Sequence, residues 1–361
     1  MGLNIAFFGS SLVSAYWNGA ATYYRGILRA LAARGHHTVF YEPDAYGRQE
    51  HRDIPDPEWA RVVVYRGEGG LVHALDEARA ADVLVKASGV GVFDELLERA
   101  VLDQRRRSQV VVFWDVDAPA TLARMDANPS DPFRALVPQY DAIFTYGGGP
   151  PVVDAYTAFG ARVCIPIYNA LDPDTHHPAH PVERFRGDLG FLGNRLPDRE
   201  ARVDRFFFET ARRLPERTFV LGGSGWGDKP MPANVRHAGH VYTHEHNAFN
   251  ASALAVLNVN RESMAALGYS PATRVFEAAG AAACIVSDAW PGMECFLDPG
   301  HEVLIANDAD EVVEHLNRLT PEAARRIGEA ARRRVLAEHT YAQRAVEVER
   351  ALSGHCLELS A

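Results

Sequence analysis

Short apolar runs alternate with amphipathic stretches along most of the chain. In the first part, mostly apolar runs lie at 4–8, 62–65, 83–87 and 110–114, and helical patterns separate them. Strands of a parallel sheet that is buried on both faces produce such runs. The pattern therefore predicts a Rossmann-like α/β half over residues 1–170.

The same alternation resumes after a break. The segment 169–181 is rich in proline and polar residues, which favours a linker. Beyond it come further mostly apolar runs, at 189–192, 218–221, 253–257, 285–286 and 303–305. They predict a second Rossmann-like half over residues 171–340, and residues 341–361 continue as a helical tail. Two such halves would enclose a cleft beyond the carboxyl ends of their strands.

Composition narrows the class of protein. A chain of 361 residues suits two α/β domains. The formal net charge of -10 argues against nucleic acid as the main partner, since phosphate backbones require clustered basic surface. The four cysteines have no CxxC spacing, and no segment is apolar enough to span a membrane. We expect reduced thiols and a cytoplasmic location.

The stretch 269–288 carries the clearest chemistry. A turn of small and polar residues opens a short helix that stops at Gly280, and a buried strand follows. Free N–H groups at a helix start, with the helix dipole behind them, favour an anion such as a diphosphate. Glu277 lies one turn further in, where it can accept hydrogen bonds from the vicinal hydroxyls of a ribose. The N–H groups from Ser270 to Thr273, with that of Ala272 among them, would hold the diphosphate, and Tyr269 and Tyr242 could stack on the base.

Several motifs in this order resemble a known family. Arg274-Val-Phe-Glu277 with the strand after it, and the segment 292–305, resemble the donor-binding half of GT-B glycosyltransferases. The closest branch is that related to the spore maturation protein CgeB, which is also similar at 191–194 and 257–261. Further similar motifs lie in the first half, at Trp17-Asn-Gly, at 115–121 and at 145–149. The resemblance covers nearly the whole chain.

The resemblance implies a fold and an activity. The fold would be GT-B, with two Rossmann-like domains facing each other across a cleft and a last helix, after about Tyr341, crossing back to the first domain. The activity would be transfer of a sugar from a nucleotide-diphosphate sugar in the second half to an acceptor hydroxyl in the first. No metal and no cofactor would be required. The partners would be this donor and an unidentified acceptor, which could be a glycan, a small molecule or a protein.

Further donor-binding candidates surround the central stretch. Guanidinium groups pair with phosphate oxygens, and Arg274 is the first choice, followed by Arg261. A glycine-rich loop at 222–227 directly follows a strand and could bring backbone close to the ligand. The remaining candidates are Asn194, Arg195, Arg199, Gly223 and Tyr242.

Two aspartates end the most apolar strand of the first half. As a DxD motif, Asp115 and Asp117 would chelate a metal, as in GT-A enzymes. They lie in the half opposite the nucleotide-binding stretch, so a catalytic role at the acceptor site is preferred, with Asp117 as a general base. The alternative is that one of them, Asp117 above all, only caps the following helix.

Loops of the first half supply the acceptor candidates. Gly9-Ser-Ser and Trp17-Asn-Gly follow the first strand without a GxGxxG pattern, which disfavours a dinucleotide cofactor. Trp17 could stack on a sugar, or could simply pack under the first helix. The acceptor candidates are Ser11, Trp17, Asn18 and Gly148.

Other interpretations remain open at this stage. Histidines cluster at 176–180 and 237–246, but no spacing places three ligands on one rigid face, so no metal site is predicted. Many retaining GT-B enzymes carry two glutamates with seven residues between them, whereas Tyr269 stands where the first would be, so the stereochemistry is not predicted. A nucleotide-sugar epimerase of the same fold and a non-catalytic nucleotide-sugar-binding protein are the alternative functions.

Overall fold

The computed structural model describes residues 2–16 and 18–359, the last six of these by backbone alone. The chain divides into two compact units. The first comprises Met1–Tyr168 together with Tyr341–Ala361, and the second comprises Asn169–Thr340. Each unit is built on one parallel sheet, which confirms the predicted pair of α/β halves.

The first unit contains, within its described residues, a seven-stranded sheet of order β3-β2-β1-β4-β5-β6-β7. Its strands are β1 (Asn4–Phe8), β2 (His37–Pro43), β3 (Arg61–Tyr65), β4 (Val83–Ala87), β5 (Val110–Asp115), β6 (Ala142–Thr145) and β7 (Cys164–Pro166). The helices that connect them are α1 (Ala21–Ala33), α2 (Gly67–Ala78), α3 (Asp94–Asp103), α4 (Ala118–Ala127) and α5 (Gly149–Ala158). Every residue of β4 and β5 is buried, as strands covered by helices on both faces require.

The second unit contains, within its described residues, a six-stranded sheet of order β10-β9-β8-β11-β12-β13. Its strands are β8 (Gly187–Leu192), β9 (Phe219–Gly222), β10 (Val235–Gly239), β11 (Ala253–Asn258), β12 (Ile285–Asp288) and β13 (Leu304–Ala306). Its helices are α6 (Pro197–Val203), α7 (Glu209–Arg213), α8 (Thr243–Ser252), α9 (Glu262–Leu267), α10 (Thr273–Gly280), α11 (Ala309–Arg318) and α12 (Pro321–Glu338). Strands β8 and β11 pair at the point where the strand order reverses, and ligands of such sheets bind beyond the carboxyl ends there.

The last helix, α13 (Tyr341–Leu359), belongs to the first unit. It packs on α1, where Gly26 leaves room for the ring of Tyr341; a Cβ at Gly26 would lie 2.2 Å from that ring. His36 and Glu349 add a contact of 2.9 Å between ring nitrogen and carboxylate. The predicted return of the last helix to the first domain is confirmed.

Some sequence expectations need correction. The division between the units falls at Tyr168, where the predicted linker 169–181 begins, but Asn169, Leu171 and His176 of this segment are buried in the second unit and Leu171 bridges to Thr340. Helices α6 and α7 follow one another through a π-helical turn at Asp204–Phe208. Strand β10 and helix α8 were not predicted. No helix among the described residues has the length and apolarity needed to cross a membrane.

Candidate functional site

Helix α10 begins at a turn that its own chain holds firmly. Tyr269 has a left-handed φ of 47°, and its ring occupies the space beside Gly292, where a Cβ would lie 2.3 Å from it. The N–H of Tyr269 donates to the carbonyl of Pro291 at 2.7 Å. Ala272, the residue before the helix, has no side chain that can cap it. The first N–H groups of α10 therefore remain available as donors.

A buried polar network fixes the carbonyls of this turn. Asn260 donates from its side chain to the carbonyl of Ser270 at 3.1 Å and from its N–H to Asp288 at 3.0 Å. Asp288 is fully buried and pairs with Arg202 at 2.7 Å. Asn169 donates to the carbonyl of Pro271 at 3.3 Å. Side chains of the protein thus already bind the carbonyls of Ser270 and Pro271. The N–H groups of the turn and helix start are the backbone groups left for a ligand.

Three arginines lie close together near this helix start. Burial, together with the positive charges of Arg274 and Arg261, lowers the pKa of Arg199 to about 10. Burial also lowers the pKa of Arg274. The Nε of Arg199 and the Nη1 of Arg274 are buried and have no hydrogen-bond partner. Arg261 donates from Nε to Asp198 at 3.0 Å, so the unmade hydrogen bonds that suit a multiply charged anion belong to Arg199 and Arg274.

Glu277 lies one turn into α10 among three positive or titratable neighbours. Its carboxylate is 3.7 Å from Nε2 of His176, 3.8 Å from Nδ1 of His246 and 3.8 Å from the guanidinium of Arg274. Burial alone would raise the pKa of Glu277, but His176, Arg274 and His246 outweigh it, and the pKa is lowered. Burial lowers the pKa of His246 to about 4, against the pull of Glu277. At neutral pH, Glu277 is therefore charged and His246 neutral.

Several buried polar atoms of the second unit have no hydrogen-bond partner. They include both ring nitrogens of His176, Nδ1 of His246, and both amide atoms of Asn250. His246 and Asn250 lie one turn apart on α8 and share a face of that helix. Buried polar groups in native proteins almost always have partners. These atoms fit a polar ligand that completes their hydrogen bonds.

The side chains of His176, His246 and Glu277 are also of the types that bind metals. One ligand atom from each lies within 4.8 Å of the others. Sequence spacing did not reveal this group, because His176 follows the first sheet and His246 lies on α8. The guanidinium of Arg274 beside the same carboxylate opposes a divalent cation by Coulomb repulsion. That no metal is required stays a prediction.

Other predicted donor residues lie in different surroundings. Arg195 pairs with Glu200 at 2.8 Å and with Asp228 at 3.0 Å, so its guanidinium is already bound. Gly223 has φ of 124°, and a Cβ there would lie 2.2 Å from the carbonyl of Gly193; this glycine lets two loops touch. Asn194 accepts from the N–H of Ser224, and Tyr242 is exposed beside His240 and His244. Their donor contacts stay predictions.

The two aspartates of the first unit differ. Asp115 is fully buried and accepts hydrogen bonds from Ser88, Thr121, Tyr156 and the N–H of Asp117, at 2.5 to 3.1 Å. Burial raises its pKa in spite of these donors. This set of partners favours a structural role over contact with a substrate. Asp117 precedes α4 as its capping residue, yet its carboxylate makes no capping hydrogen bond, so a role as base stays a prediction.

The predicted acceptor residues mostly hold their own loop. Asn18 donates to the carbonyls of Ser11 and Ser14 and accepts from Ser10. Ser11 donates to Glu42 at 3.0 Å. Gly148 has φ of 93° and precedes α5, whose second and third residues, Pro150 and Pro151, have no N–H to offer an anion. Trp17 lies outside the described residues.

The two sheets, their strand orders and the returning helix define the GT-B fold of nucleotide-sugar-dependent glycosyltransferases. Residues 199–350, which include α10, match a family model described as "Glycosyl transferase-like". No curated protein sequence matches the chain.

Solved structures of glycosyltransferases have the same fold over almost the whole chain. Sucrose-phosphate synthase from Thermosynechococcus elongatus is 13% identical with a TM-score of 0.71, and the match covers 99% of this chain and 100% of that one. HepE of Anabaena, solved with UDP and glucose, is 12% identical with a TM-score of 0.67, covering 98% and 100%. An alpha-glucosyltransferase solved with UDP and a 13-mer DNA is 11% identical with a TM-score of 0.68, covering 98% and 100%.

Proposed function

We propose that the protein is a glycosyltransferase that takes a nucleotide-diphosphate sugar in its second unit and transfers the sugar to an acceptor. The main observation behind this proposal is that the start of α10 has no side-chain cap and lies near Arg199 and Arg274. Each of these arginines has a buried nitrogen without a hydrogen-bond partner. A diphosphate supplies the charge and the acceptor oxygens that these donors lack. Glu277 would then accept hydrogen bonds from the ribose.

The same groups would assist the reaction. When the bond between the anomeric carbon and the diphosphate breaks, negative charge builds up on the departing phosphate oxygen. Arg199, Arg274 and the N–H groups of α10 are fixed before the reaction, so they stabilise that charge without reorganisation. These cations would provide what a divalent metal provides in metal-dependent transferases.

The acceptor side rests on fewer observations. We propose Asp117 as the base that deprotonates the acceptor nucleophile, because it follows β5 at the carboxyl edge of the first sheet, between that strand and α4. Asp115 would hold the Asp117 backbone through its hydrogen bond to that N–H. The acceptor itself and the stereochemistry are not assigned.

Two finer assignments belong to this proposal. Membership of the branch related to CgeB is supported by the motifs at 191–194, 257–261 and 274–277. A cytoplasmic location is supported by the free state of Cys164, Cys284 and Cys295 among the described residues, which suits a reducing compartment.

A thermal-shift screen tests the donor assignment. The full chain is melted with UDP, GDP, dTDP, CMP and ADP, then with their common sugars, and with NAD as a control. UDP comes first because similar structures hold it. A ligand that binds only the folded state, at a concentration a hundred times its dissociation constant, adds about 2.7 kcal/mol to the free energy of unfolding.

The result has two readings. One nucleoside diphosphate that stands out supports the proposal and selects the donors for assays with acceptor pools. Donor incubated alone should then be hydrolysed slowly, whereas isomerised donor would indicate an epimerase. A shift with NAD alone, or with no nucleotide, would contradict the proposal.

A further inference from the structure

Two histidines reach Glu277 from separate parts of the second unit, and packing fixes both. The segment around His176 is closed by its N–H donating to the carbonyl of Asp172 at 2.9 Å. Asn247 of α8 donates to the carbonyl of Thr175 at 2.9 Å. Gly280 of α10 allows close approach, since a Cβ there would lie 2.8 Å from the carbonyl of His176. His246, next to Asn247, is therefore held against the same face of α10.

The spacing at Glu277 leaves room for a shared partner. One imidazole nitrogen faces each carboxylate oxygen, at 3.7 Å for His176 and 3.8 Å for His246. Both distances exceed those of direct hydrogen bonds, which lie near 2.9 Å. A hydroxyl oxygen at ordinary hydrogen-bond distance from both a carboxylate oxygen and a ring nitrogen fits such a separation. Nδ1 of His246 and both ring nitrogens of His176 have no hydrogen-bond partner, whereas a backbone hydrogen bond to Val241 engages the rest of the His246 ring.

The chemistry of the three groups suits a diol. A charged carboxylate only accepts hydrogen bonds, so each hydroxyl must donate to it. The hydroxyl oxygen can still accept a hydrogen bond, and a neutral imidazole has one donor and one acceptor nitrogen, so Nδ1 of His246 can bond to a hydroxyl of the diol in either sense. His246 keeps 16% of its side chain exposed, whereas His176 keeps 3%. His246 is thus the one of the two that a ligand reaches, and His176 lies behind the carboxylate.

We propose that His246 joins Glu277 in binding the ribose diol of the donor, while His176 positions Glu277 from the buried side, so that the site selects ribonucleotides over deoxyribonucleotides. This inference rests on the proposed nucleotide-sugar function. It adds a specificity-determining residue from α8 to the ribose site on α10.

Isothermal titration with matched ligands tests it. The full chain is titrated with UDP, or with whichever ribonucleoside diphosphate gives the largest thermal shift, and with its 2′,3′-dideoxy form. Hydrogen bonds to charged groups give roughly a 10- to 100-fold preference for the ribonucleotide. His246→Ala should weaken the ribonucleotide and leave the dideoxy ligand unchanged, so that the preference falls by about threefold to tenfold, and Glu277 accounts for what remains. His246→Asn, which keeps an N–H donor near the same position, should restore part of it.

Control variants separate a ligand contact from a structural effect. His176→Gln should reduce the same preference without changing affinity for the dideoxy ligand. His177→Ala changes an exposed neighbour whose ring bonds to the carbonyl of Pro178, and it should behave as wild type. Equal losses for both ligands in the His246 variants would overturn the inference and leave the proposed function standing. A wild-type preference for dTDP would overturn it as well, and binding of no nucleoside diphosphate would overturn both.

Discussion

Glu277 in the second unit and Asp115 in the first are both buried carboxylates near the carboxyl edge of a parallel sheet, yet their surroundings are opposite. Asp115 has four hydrogen-bond donors around it, and burial still raises its pKa. Glu277 has its three polar neighbours 3.7 to 3.8 Å away, and their charge lowers its pKa. The protein itself supplies the hydrogen-bond donors of Asp115, whereas the carboxylate of Glu277 remains able to accept hydrogen bonds from a ligand.

The arginines repeat this contrast within one unit. Arg195 is fully engaged by Glu200 and Asp228. Arg199 and Arg274 each keep a buried nitrogen without a partner, and the charge of Arg274 lowers the pKa of Arg199. Residue type alone made all of them phosphate candidates. Their hydrogen-bond partners distinguish Arg195 from Arg199 and Arg274, and the predictions below test that distinction.

The largest effect is expected at Asp115. Asp115→Ala leaves three hydroxyls and an N–H without their acceptor, which should cost about 3 kcal/mol of stability. Donor affinity should be unchanged, because the second unit is not altered. Urea unfolding and titration with UDP measure the two quantities. A stable variant with lost turnover would instead support a catalytic role for Asp115.

At Arg274 the effect should fall on binding. Arg274→Ala removes a partly buried cation from the proposed diphosphate site, and we expect affinity for the nucleoside diphosphate to fall about 100-fold, or about 2.7 kcal/mol. The variant should also lose some stability, because the guanidinium of Arg274 lies 3.8 Å from the buried carboxylate of Glu277, so the titration is made well below its melting temperature. Isothermal titration gives the affinity. Wild-type affinity in this variant would remove the diphosphate assignment.

His246 should make stability depend on pH. Its pKa falls from 6.5 to about 4 on folding, so the unfolded chain binds the proton more tightly. Stability should therefore be full above pH 6.5 and decline as the pH falls towards 4, by roughly 3 kcal/mol at most. His246→Asn should flatten this part of the profile. The free energy of unfolding of both proteins, measured from pH 4 to 7, gives the difference, and identical profiles would contradict the burial of a neutral imidazole.

The smallest effect is expected at Arg195. Its ion pairs are partly exposed, so Arg195→Ala should cost less than about 1 kcal/mol of stability. Donor affinity should stay within about threefold of wild type, since no unpaired nitrogen is lost. The same titrations used for Arg274→Ala measure this. A loss of affinity as large as that of Arg274→Ala would show that nitrogens without hydrogen-bond partners do not identify the donor site.

Local patterns were sufficient to predict the alternating elements and the start and stop of α10. Its end at Gly280 and the strand after it follow from residues that are neighbours in sequence, and the structure confirms both. The grouping of His176 with His246 depends on the packing of α8 against α10, which no spacing encodes. Asp115 resembled a catalytic residue because its position at a strand end is visible in the sequence and its hydroxyl partners are not.

Hydrogen exchange with and without saturating UDP, followed by mass spectrometry, tests the central contrast in one sample. The account predicts slower exchange of the N–H groups in residues 270–280, where the helix start would bind the diphosphate. Residues 115–125, whose polar groups are already paired, should exchange at the same rate in both states. Slowing confined to residues 115–125, or none in either segment while titration shows saturation, would contradict the assignment of the nucleotide to α10.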